Sequence, residues 1–234
     1  MTEILRVGLL SKSYGGAKVL DNFNFRMKKG EVIGILGENG AGKSTAIECM
    51  LGIQRYDTGL IRFFGLDLQA NKKNIYQRIG VQFQNSHYQD KIRVNELCEI
   101  TACLYDKPMD WKILLEDFNL DNLQKAYTSN LSSGECQRLS IVLALIPNPD
   151  IVFLDELTTA LDTRNRNEVI KYILKLKESG LSIILVSHFM DEVILLCDEV
   201  YILKKGITVI NGSIQHIIKE SGKDNFEEAY LYFS

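Results

Sequence analysis

The sequence predicts an α/β fold with a mostly parallel sheet, an N-terminal antiparallel β subdomain and a helical insert subdomain. Three observations support this prediction. Short, almost wholly apolar runs are followed by helical patterns, residues 4–27 instead alternate at about every second position, and residues 92–146 show apolar spacings of three to four without a strand-like run. Fully apolar strands are typical of a parallel sheet covered by helices on both faces.

The composition is that of a globular protein without a nucleic-acid partner. A chain of 234 residues has room for one sizeable domain or two small lobes, and 46% hydrophobic residues are enough to bury a core. The 27 Lys and Arg against 30 Asp and Glu give a net charge of −3, without the basic excess that favours binding to a phosphate backbone. The five cysteines form no C-x-x-C pair, so we expect reduced, mostly packed thiols rather than disulfides or a zinc site.

No segment is predicted to cross a membrane or to direct secretion. The longest apolar stretches, at residues 141–146 and 182–186, are far shorter than the ~20 residues that span a bilayer. The N-terminus carries an early acid, Glu3, and only a short apolar segment, unlike a secretory signal. We therefore expect the chain to reside in the cytoplasm.

The first predicted element is an antiparallel hairpin. Apolar residues occupy about every second position between residues 20 and 27, and Gly15-Gly16 marks a turn before this stretch. Such alternation is typical of half-buried strands, and paired glycines are typical of a hairpin turn.

Four short apolar strands are predicted after the hairpin. They lie at residues 31–37, 79–83, 151–154 and 182–186. After the last of them the pattern predicts a short helix at about residues 189–196, then two strands and helical segments to residue 234.

A phosphate-binding loop is predicted between the first apolar strand and the helix that follows it. Residues 37–44 (GENGAGKS) match G-x-x-x-x-G-K-[ST], and an amphipathic pattern continues over about residues 43–51. Glycines let successive N–H groups point inward, and the helix start adds its positive dipole end. A glycine-rich turn with an incidental lysine is the alternative, but the strand and helix around the motif favour the phosphate site.

The side chains of this loop predict contacts to a nucleotide triphosphate and its Mg²⁺. Lys43 is expected to bridge the β- and γ-phosphates, the Ser44 hydroxyl to bind Mg²⁺ and Thr45 to add a phosphate contact. The remaining residues of the predicted ATP site are Gly37, Asn39, Gly40, Ala41 and Gly42.

Two acids directly follow the apolar run at residues 151–154. Ligands of open α/β sheets bind at the carboxyl ends of parallel strands, which is where Asp155 and Glu156 fall. Asp155 is expected to hold Mg²⁺, directly or through water, because a hard cation prefers oxygen ligands. Glu156 is then the candidate general base that polarises the attacking water.

The segment Leu131 to Arg138, LSSGECQR, is similar to the signature L-S-G-G-Q-Q-Q-R. With the other motifs in order, the chain resembles the nucleotide-binding subunit of an ABC transporter over essentially its full length. This resemblance implies that Ser132, Ser133 and Gly134 contact the nucleotide of a second copy of the ATPase. Two copies would then hold two ATP molecules between them.

The resemblance also implies the fold and its division. The chain would be a single ABC ATPase domain, with a phosphate-loop NTPase core at residues 1–84 and 147–234 and a helical subdomain at residues 85–146. The antiparallel β part belongs to the core.

Four residues depart from the family pattern. Ser133 stands for Gly, and Glu135 and Cys136 stand for a pair of Gln. A negative charge on Glu135 would weaken dimer closure if it pointed at the phosphate. Leu157 stands where the family commonly has Pro, which is expected to loosen the turn after the catalytic acid.

Further site residues follow from the resemblance by position. Tyr14 looks like the aromatic residue that stacks on adenine. Gln84 matches the glutamine that senses Mg²⁺ and water, although Gln82 lies close enough in sequence to be confused with it. Asp162 resembles the residue that links the two ATP sites, and His188 the switch histidine that holds the γ-phosphate.

These features together predict an ATPase that energises a separate membrane-spanning permease. The cofactors are ATP and Mg²⁺. The partners are a second ATPase, either an identical copy or a related subunit, and the permease, at the inner face of the membrane. The start of the chain and its ending FEEAYLYFS are similar to those of bacterial drug, antibiotic or peptide exporters, and no regulatory extension is expected beyond about residue 225. A nucleotide-gated module with little hydrolysis and a short uptake-type ATPase are the alternatives.

Overall fold

The computed structural model describes residues 2–83, 88, 91–158 and 161–234. The chain divides into two compact units. The first comprises Met1–Ile75 and Ile184–Ser234, and the second comprises Tyr76–Ile183.

The described chain combines strands with helices. The strands are β1 (Glu3–Tyr14), β2 (Ala17–Lys28), β3 (Val32–Leu36), β4 (Thr58–Phe63), β5 (Leu66–Asp67), β6 (Ile79–Gln82), β7 (Ile151–Asp155), β8 (Ser182–Val186), β9 (Glu199–Lys204) and β10 (Ile207–Gly212). The helices are α1 (Lys43–Met50), α2 (Leu68–Tyr76), α3 (Val94–Ala102), α4 (Trp111–Asp117), α5 (Ser133–Leu145), α6 (Thr163–Glu178), α7 (Met190–Leu196), α8 (Ile214–Ser221) and α9 (Phe226–Phe233).

The first unit contains a four-stranded antiparallel sheet in the order β2-β1-β4-β5. The predicted hairpin is confirmed, since Tyr14 pairs with Ala17 across the turn at Gly15-Gly16. Both glycines have positive φ, which side-chain-bearing residues rarely adopt. Phe23, Phe25 and Met27 are fully buried while the residues between them are exposed, as the period of two requires.

The same unit also contains strands that pair in both parallel and antiparallel orientation. All five residues of β3 are buried, and β3 pairs with β9 in parallel. β10 pairs with β9 in antiparallel orientation and its residues alternate between exposed and half-buried. The burial of β3 explains its continuous apolar sequence.

The second unit contains a parallel strand pair and the helices α3, α4, α5 and α6. β6 pairs with β7 in parallel, with Ile79 opposite Ile151. Between residues 91 and 150 the described chain forms α3, α4, α5 and two short 3₁₀ turns, with only an isolated bridge between Arg93 and Tyr127. The helical character predicted for this segment is confirmed.

The boundary between the units falls within β8, after Ile183. None of the described helices is both long enough and apolar enough to span a bilayer. All five cysteines are free thiols, and Cys49, Cys98 and Cys197 are buried. Burial raises the pKa of Cys49 to about 11 and that of Cys98 to about 12, so both remain protonated at neutral pH.

Candidate functional site

The predicted phosphate loop has a backbone that glycine makes possible. Gly37, Gly40 and Gly42 have φ of +151°, +81° and +102°. A Cβ atom at Gly37 would collide with the carbonyl oxygen of Leu203. A Cβ atom at Gly42 would lie 2.8 Å from the backbone oxygen of Val19. Glycine is therefore required at both positions, for its φ and because another backbone segment approaches closely.

Lys43 is the first residue of α1, at the carboxyl end of this loop. Its side chain is buried, and its Nζ donates to the carbonyl oxygens of Gly37 at 2.7 Å and Glu38 at 3.0 Å. Backbone carbonyl oxygens of the loop thus surround the buried ammonium group. A buried charge needs such polar partners in order to be stable. Ser44 is exposed and Thr45 half-buried in the same first turn, where free N–H groups favour an anion.

The two predicted acids lie at the carboxyl end of β7. Asp155 is the last residue of the strand, and its N–H donates to Oε1 of Gln82 at 3.0 Å. Gln82 is 2% exposed, and its Nε2 donates to the carbonyl oxygen of Phe83 at 2.6 Å. A buried amide therefore fixes the backbone that carries Asp155, a role that the sequence did not reveal.

The backbone at Glu156 is in the left-handed region, with φ of +48°. This conformation is uncommon for residues other than glycine and is concentrated at functional sites. Leu157 and Thr158, which follow, are both 2% exposed. Burial of the leucine side chain therefore anchors the turn at the position where the family commonly has proline.

His188 follows β8 and lies in an exposed turn before α7. The neighbouring Ser187 is buried, and its hydroxyl donates to Oε2 of Glu192 at 2.7 Å. The N–H of Phe189 donates to the same hydroxyl oxygen at 3.1 Å. These bonds hold the backbone on both sides of His188.

The predicted signature forms the start of α5. Ser132 is the N-cap residue, and Oε2 of Glu135 accepts hydrogen bonds from both its N–H and its hydroxyl, each at 2.7 Å. These hydrogen bonds lower the pKa of Glu135 below its ordinary value. Glu135 thus completes a capping box with Ser132, as a glutamine at the same position also could.

The predicted linking residue, Asp162, is the N-cap of α6. Its carboxylate accepts from the N–H of Asn165 at 2.9 Å and from the Nδ2 of Asn165 at 2.8 Å, and these bonds lower its pKa. A Cβ on Gly134 would lie 2.5 Å from Oδ1 of the same asparagine. Asn165 therefore brings Asp162 and the signature turn together, although the sequence analysis did not identify it.

Tyr14 is 43% exposed at the end of β1, and the Nζ of Lys12 lies 4.8 Å from its ring centroid. An exposed aromatic ring of this kind offers a surface on which a base could stack. Gln84 lies outside the described residues. The first unit thus carries the phosphate loop, Tyr14 and His188, and the second carries the two acids, the signature and Asp162.

A glycine loop that closes around a buried lysine at the start of a helix defines a phosphate-loop nucleotide-binding protein. Comparison with known proteins gives the family. Residues 20–159 match the ABC transporter family, and the chain therefore belongs to it, as the ATP-binding subunit of an ABC transporter. This family hydrolyses ATP and uses Mg²⁺ with it, so the predicted enzyme class and cofactors are confirmed.

Curated relatives cover nearly the whole chain. The methionine import ATP-binding protein of Clostridium acetobutylicum is 33% identical over 227 residues, which are 93% of this chain and 70% of that protein. The Nod factor export ATP-binding protein I of Ralstonia nicotianae is 32% identical over 222 residues, 93% of this chain and 69% of that protein.

Solved structures confirm the predicted fold. An ATP-binding subunit of an ABC transporter superimposes with a TM-score of 0.90 at 24% identity, over 98% of this chain and 99% of that one. An ATP-binding cassette of an ABC transporter in its ADP conformation gives a TM-score of 0.83 at 26% identity, over 99% of each chain.

Proposed function

We propose that this chain binds Mg-ATP in its phosphate loop and couples ATP hydrolysis to the work of separate membrane-spanning permease subunits. The observation that carries the proposal is the loop from Gly37 to Lys43, in which three glycines with positive φ surround a buried ammonium group. Such a loop presents N–H groups and a fixed positive charge to a polyphosphate.

Within this proposal, Lys43 neutralises the β- and γ-phosphates and Thr45 adds a phosphate contact. Tyr14 stacks on the adenine ring. The backbone that cradles the phosphates comprises Gly37, Asn39, Gly40, Ala41 and Gly42.

The residues proposed to hold Mg²⁺ suit that ion. Ser44 offers a hydroxyl oxygen and Asp155 a carboxylate, with Gln84 as a further oxygen ligand. Mg²⁺ is usually held by one or two carboxylates, substrate phosphates and water, and this set supplies one carboxylate. When bound, Mg²⁺ neutralises charge on the phosphate oxygens.

For the chemical step, Glu156 orients and deprotonates the attacking water as general base. His188 contacts the γ-phosphate and holds that water in line with it, and Lys43 stabilises the charge that develops on the transferred group. Gln84 contributes to positioning the water. The strained backbone at Glu156 supports its assignment to this role.

The second half of each ATP site is proposed to come from another copy of the ATPase. Ser132, Ser133 and Gly134 would bind the γ-phosphate of the partner's ATP from the start of α5, and Asp162 would link the two sites. The contact of Asn165 with both segments supports their acting as one surface.

The chain is proposed to act as a single ABC ATPase domain, with the core at residues 1–84 and 147–234 and the helical subdomain at residues 85–146. It would lie at the cytoplasmic face of the membrane, attached through the permease. We propose export of a drug, antibiotic or peptide. The Nod factor export relatives support export, and the methionine import relative is the reason to test uptake as the alternative.

The test is nucleotide binding and turnover by the purified chain. Lys43→Ala should weaken ATP binding by about tenfold to a hundredfold because one charged phosphate contact is lost. Glu156→Gln should keep ATP binding and lower turnover by about a hundredfold or more because the general base is lost. Glu178→Gln, the same change at an exposed residue at the end of α6, is the control.

The nucleotide-gated alternative makes a different prediction. If the wild-type chain and Glu156→Gln bind ATP equally and neither turns it over, the chain is a nucleotide-gated module and the enzymatic proposal fails. Transport of labelled methionine or of a drug in vesicles with the co-expressed permease then separates uptake from export.

A further inference from the structure

A cavity of about 320 Å³ lies on the first unit, away from the phosphate loop, and its lining is strongly cationic. Two arginines, Arg6 and Arg26, line it together with Asn24, Asn211 and Tyr201. None of the described residues that line it is acidic. Its volume is in the range of small-molecule sites, and its only charges are positive.

The two arginines are placed by the register of the antiparallel sheet. Arg6 in β1 is directly opposite Arg26 in β2, and on its other side it is directly opposite Arg62 in β4. Directly opposite residues share one face of a sheet, with strands about 4.8 Å apart. Three guanidinium groups therefore form a row across three neighbouring strands, which we name the arginine row.

The arginine row is exposed, and Glu3 lines a neighbouring cavity together with Arg6 and Arg62. All three side chains are exposed, and within the described part of the chain none has an acid within ion-pair distance. Asp67 is directly opposite Arg62 and also accepts the N–H of Ala70 at Oδ1. Like charges directly opposite each other destabilise a sheet, so an anion bound by Arg6 and Arg26 would offset their repulsion.

The cavity also has a fixed frame and further donors. The hydroxyl of Tyr201, which is 6% exposed, lies 3.3 Å from the backbone nitrogen and 3.4 Å from the backbone oxygen of Arg26. This pair of contacts fixes the strand beneath the arginine. Asn24 is held by a hydrogen bond from its Nδ2 to the oxygen of Asn22 at 2.7 Å, whereas the exposed amide of Asn211 is in reach of a ligand.

We propose that this cavity binds a small anion that carries a phosphate group, with Arg6 and Arg26 as its principal ligands. Guanidinium groups match the geometry of phosphate oxygens with two parallel hydrogen bonds, and the exposed amide of Asn211 is a further donor in the lining. Arg62 lies outside the cavity lining and adds to its positive potential. The site is separate from the proposed ATP site and does not depend on it.

Backbone-amide NMR of the full-length chain, titrated with inorganic pyrophosphate, tests the proposal. We expect saturable shifts at Arg6, Gly8, Arg26 and Asn211. Arg6→Ala and Arg26→Ala should each weaken this binding about tenfold, the effect of one charged hydrogen-bonding partner. Arg26→Lys should weaken it less, because the charge stays and the paired donors are lost.

Two controls separate this site from others. Arg55→Ala removes the same charge from an exposed position between α1 and β4 and should leave the binding unchanged. Shifts at residues 37–45 report the phosphate loop in the same titration, so a failure of the ATP site and a failure of this cavity are seen independently.

Three outcomes overturn the proposal. The first is the absence of saturable shifts at the cavity residues while the phosphate loop responds. The second is equal binding of citrate, which would make the site one for carboxylates. The third is binding only to vesicles with anionic phospholipid and none to free pyrophosphate, which would make the arginine row a membrane contact.

Discussion

At the start of α5, the carboxylate of Glu135 accepts a hydrogen bond from the Ser132 hydroxyl, which is the group proposed to bind a phosphate. The hydroxyl of Ser132 donates to Glu135 at 2.7 Å, so it must exchange this partner before it can donate to the γ-phosphate of a second copy. Glu135 carries a negative charge at neutral pH, as glutamate ordinarily does, and its hydrogen bonds to Ser132 lower its pKa further. Its charge then opposes the approach of a phosphate as well.

Glu135→Gln should therefore favour ATP-driven dimerisation. In the Glu156→Gln background, we expect the ATP concentration for half-maximal dimer to fall about threefold to tenfold, because a neutral amide holds the Ser132 hydroxyl less strongly than a carboxylate does. Light scattering during size-exclusion chromatography measures the dimer fraction. Glu178→Gln in the same background should leave it unchanged, and an unchanged or higher ATP requirement for Glu135→Gln would contradict this role.

Glu135→Gln should lower the stability of the folded chain, although it favours dimerisation. A lowered pKa in the folded state means that the contribution of Glu135 is present above its ordinary pKa and is lost as pH falls through the folded value. The free energy of unfolding of Glu135→Gln should be lower than that of the wild type by less than about 1 kcal/mol at neutral pH, which is the usual size of a helix-terminal charge effect. This difference from wild type should disappear in urea unfolding curves recorded in acid.

At the scale of elements, the packing of α5 on β6 within the second unit leaves no room for a side chain. A Cβ at Gly80 would collide with the backbone oxygen of Ala144, and a backbone atom cannot rotate away. Gly80→Ala should therefore lower the free energy of unfolding by about 1–3 kcal/mol through overpacking.

Gly8→Ala is the matched control for that substitution. It also lies in a strand, but its Cβ would meet only the half-exposed side chain of Leu60, at 3.3 Å. We expect its effect to stay within about 0.5 kcal/mol. Equal urea midpoints for the two variants would show that α5 moves away from β6 without cost.

The elements that sequence reasoning identified are those whose burial has a clear period. β2 alternates and β3 is wholly buried, so both were predicted. In β4 only Ile61 and Phe63 of six residues are buried, and α2 buries only two of nine and is interrupted by a non-helical Asn71. Neither contains enough buried residues to produce a detectable pattern.

The candidate site divides in the same way. The phosphate loop is a local motif, so eight consecutive residues predict it. The positioning residues Gln82 and Asn165 act on partners 73 and 31 positions away, respectively the N–H of Asp155 and the turn at Gly134. No local pattern reports the direction of a polar side chain, and only the folded chain brings these pairs together.

At the scale of the whole molecule, the proposed function requires that each ATP be held by two chains. The phosphate loop of one chain and the signature of the other would then form one site, so damage to each can be placed in different chains. Lys43→Ala disables the loop. Ser133→Asp adds a charge where the phosphate would bind, yet it should fold, because an acid in the first turn of a helix is favourable.

Mixing the two inactive variants should restore activity. Each variant alone damages both sites of its dimer, whereas a mixed dimer has one site with both defects and one site with none. A 1:1 mixture forms mixed dimers in half of the population, so about one quarter of wild-type ATP turnover is expected if the sites act independently in a two-fold symmetric pair. If the signature instead served the ATP of its own chain, every site in the mixture would keep a defect and the mixture would stay as inactive as its components.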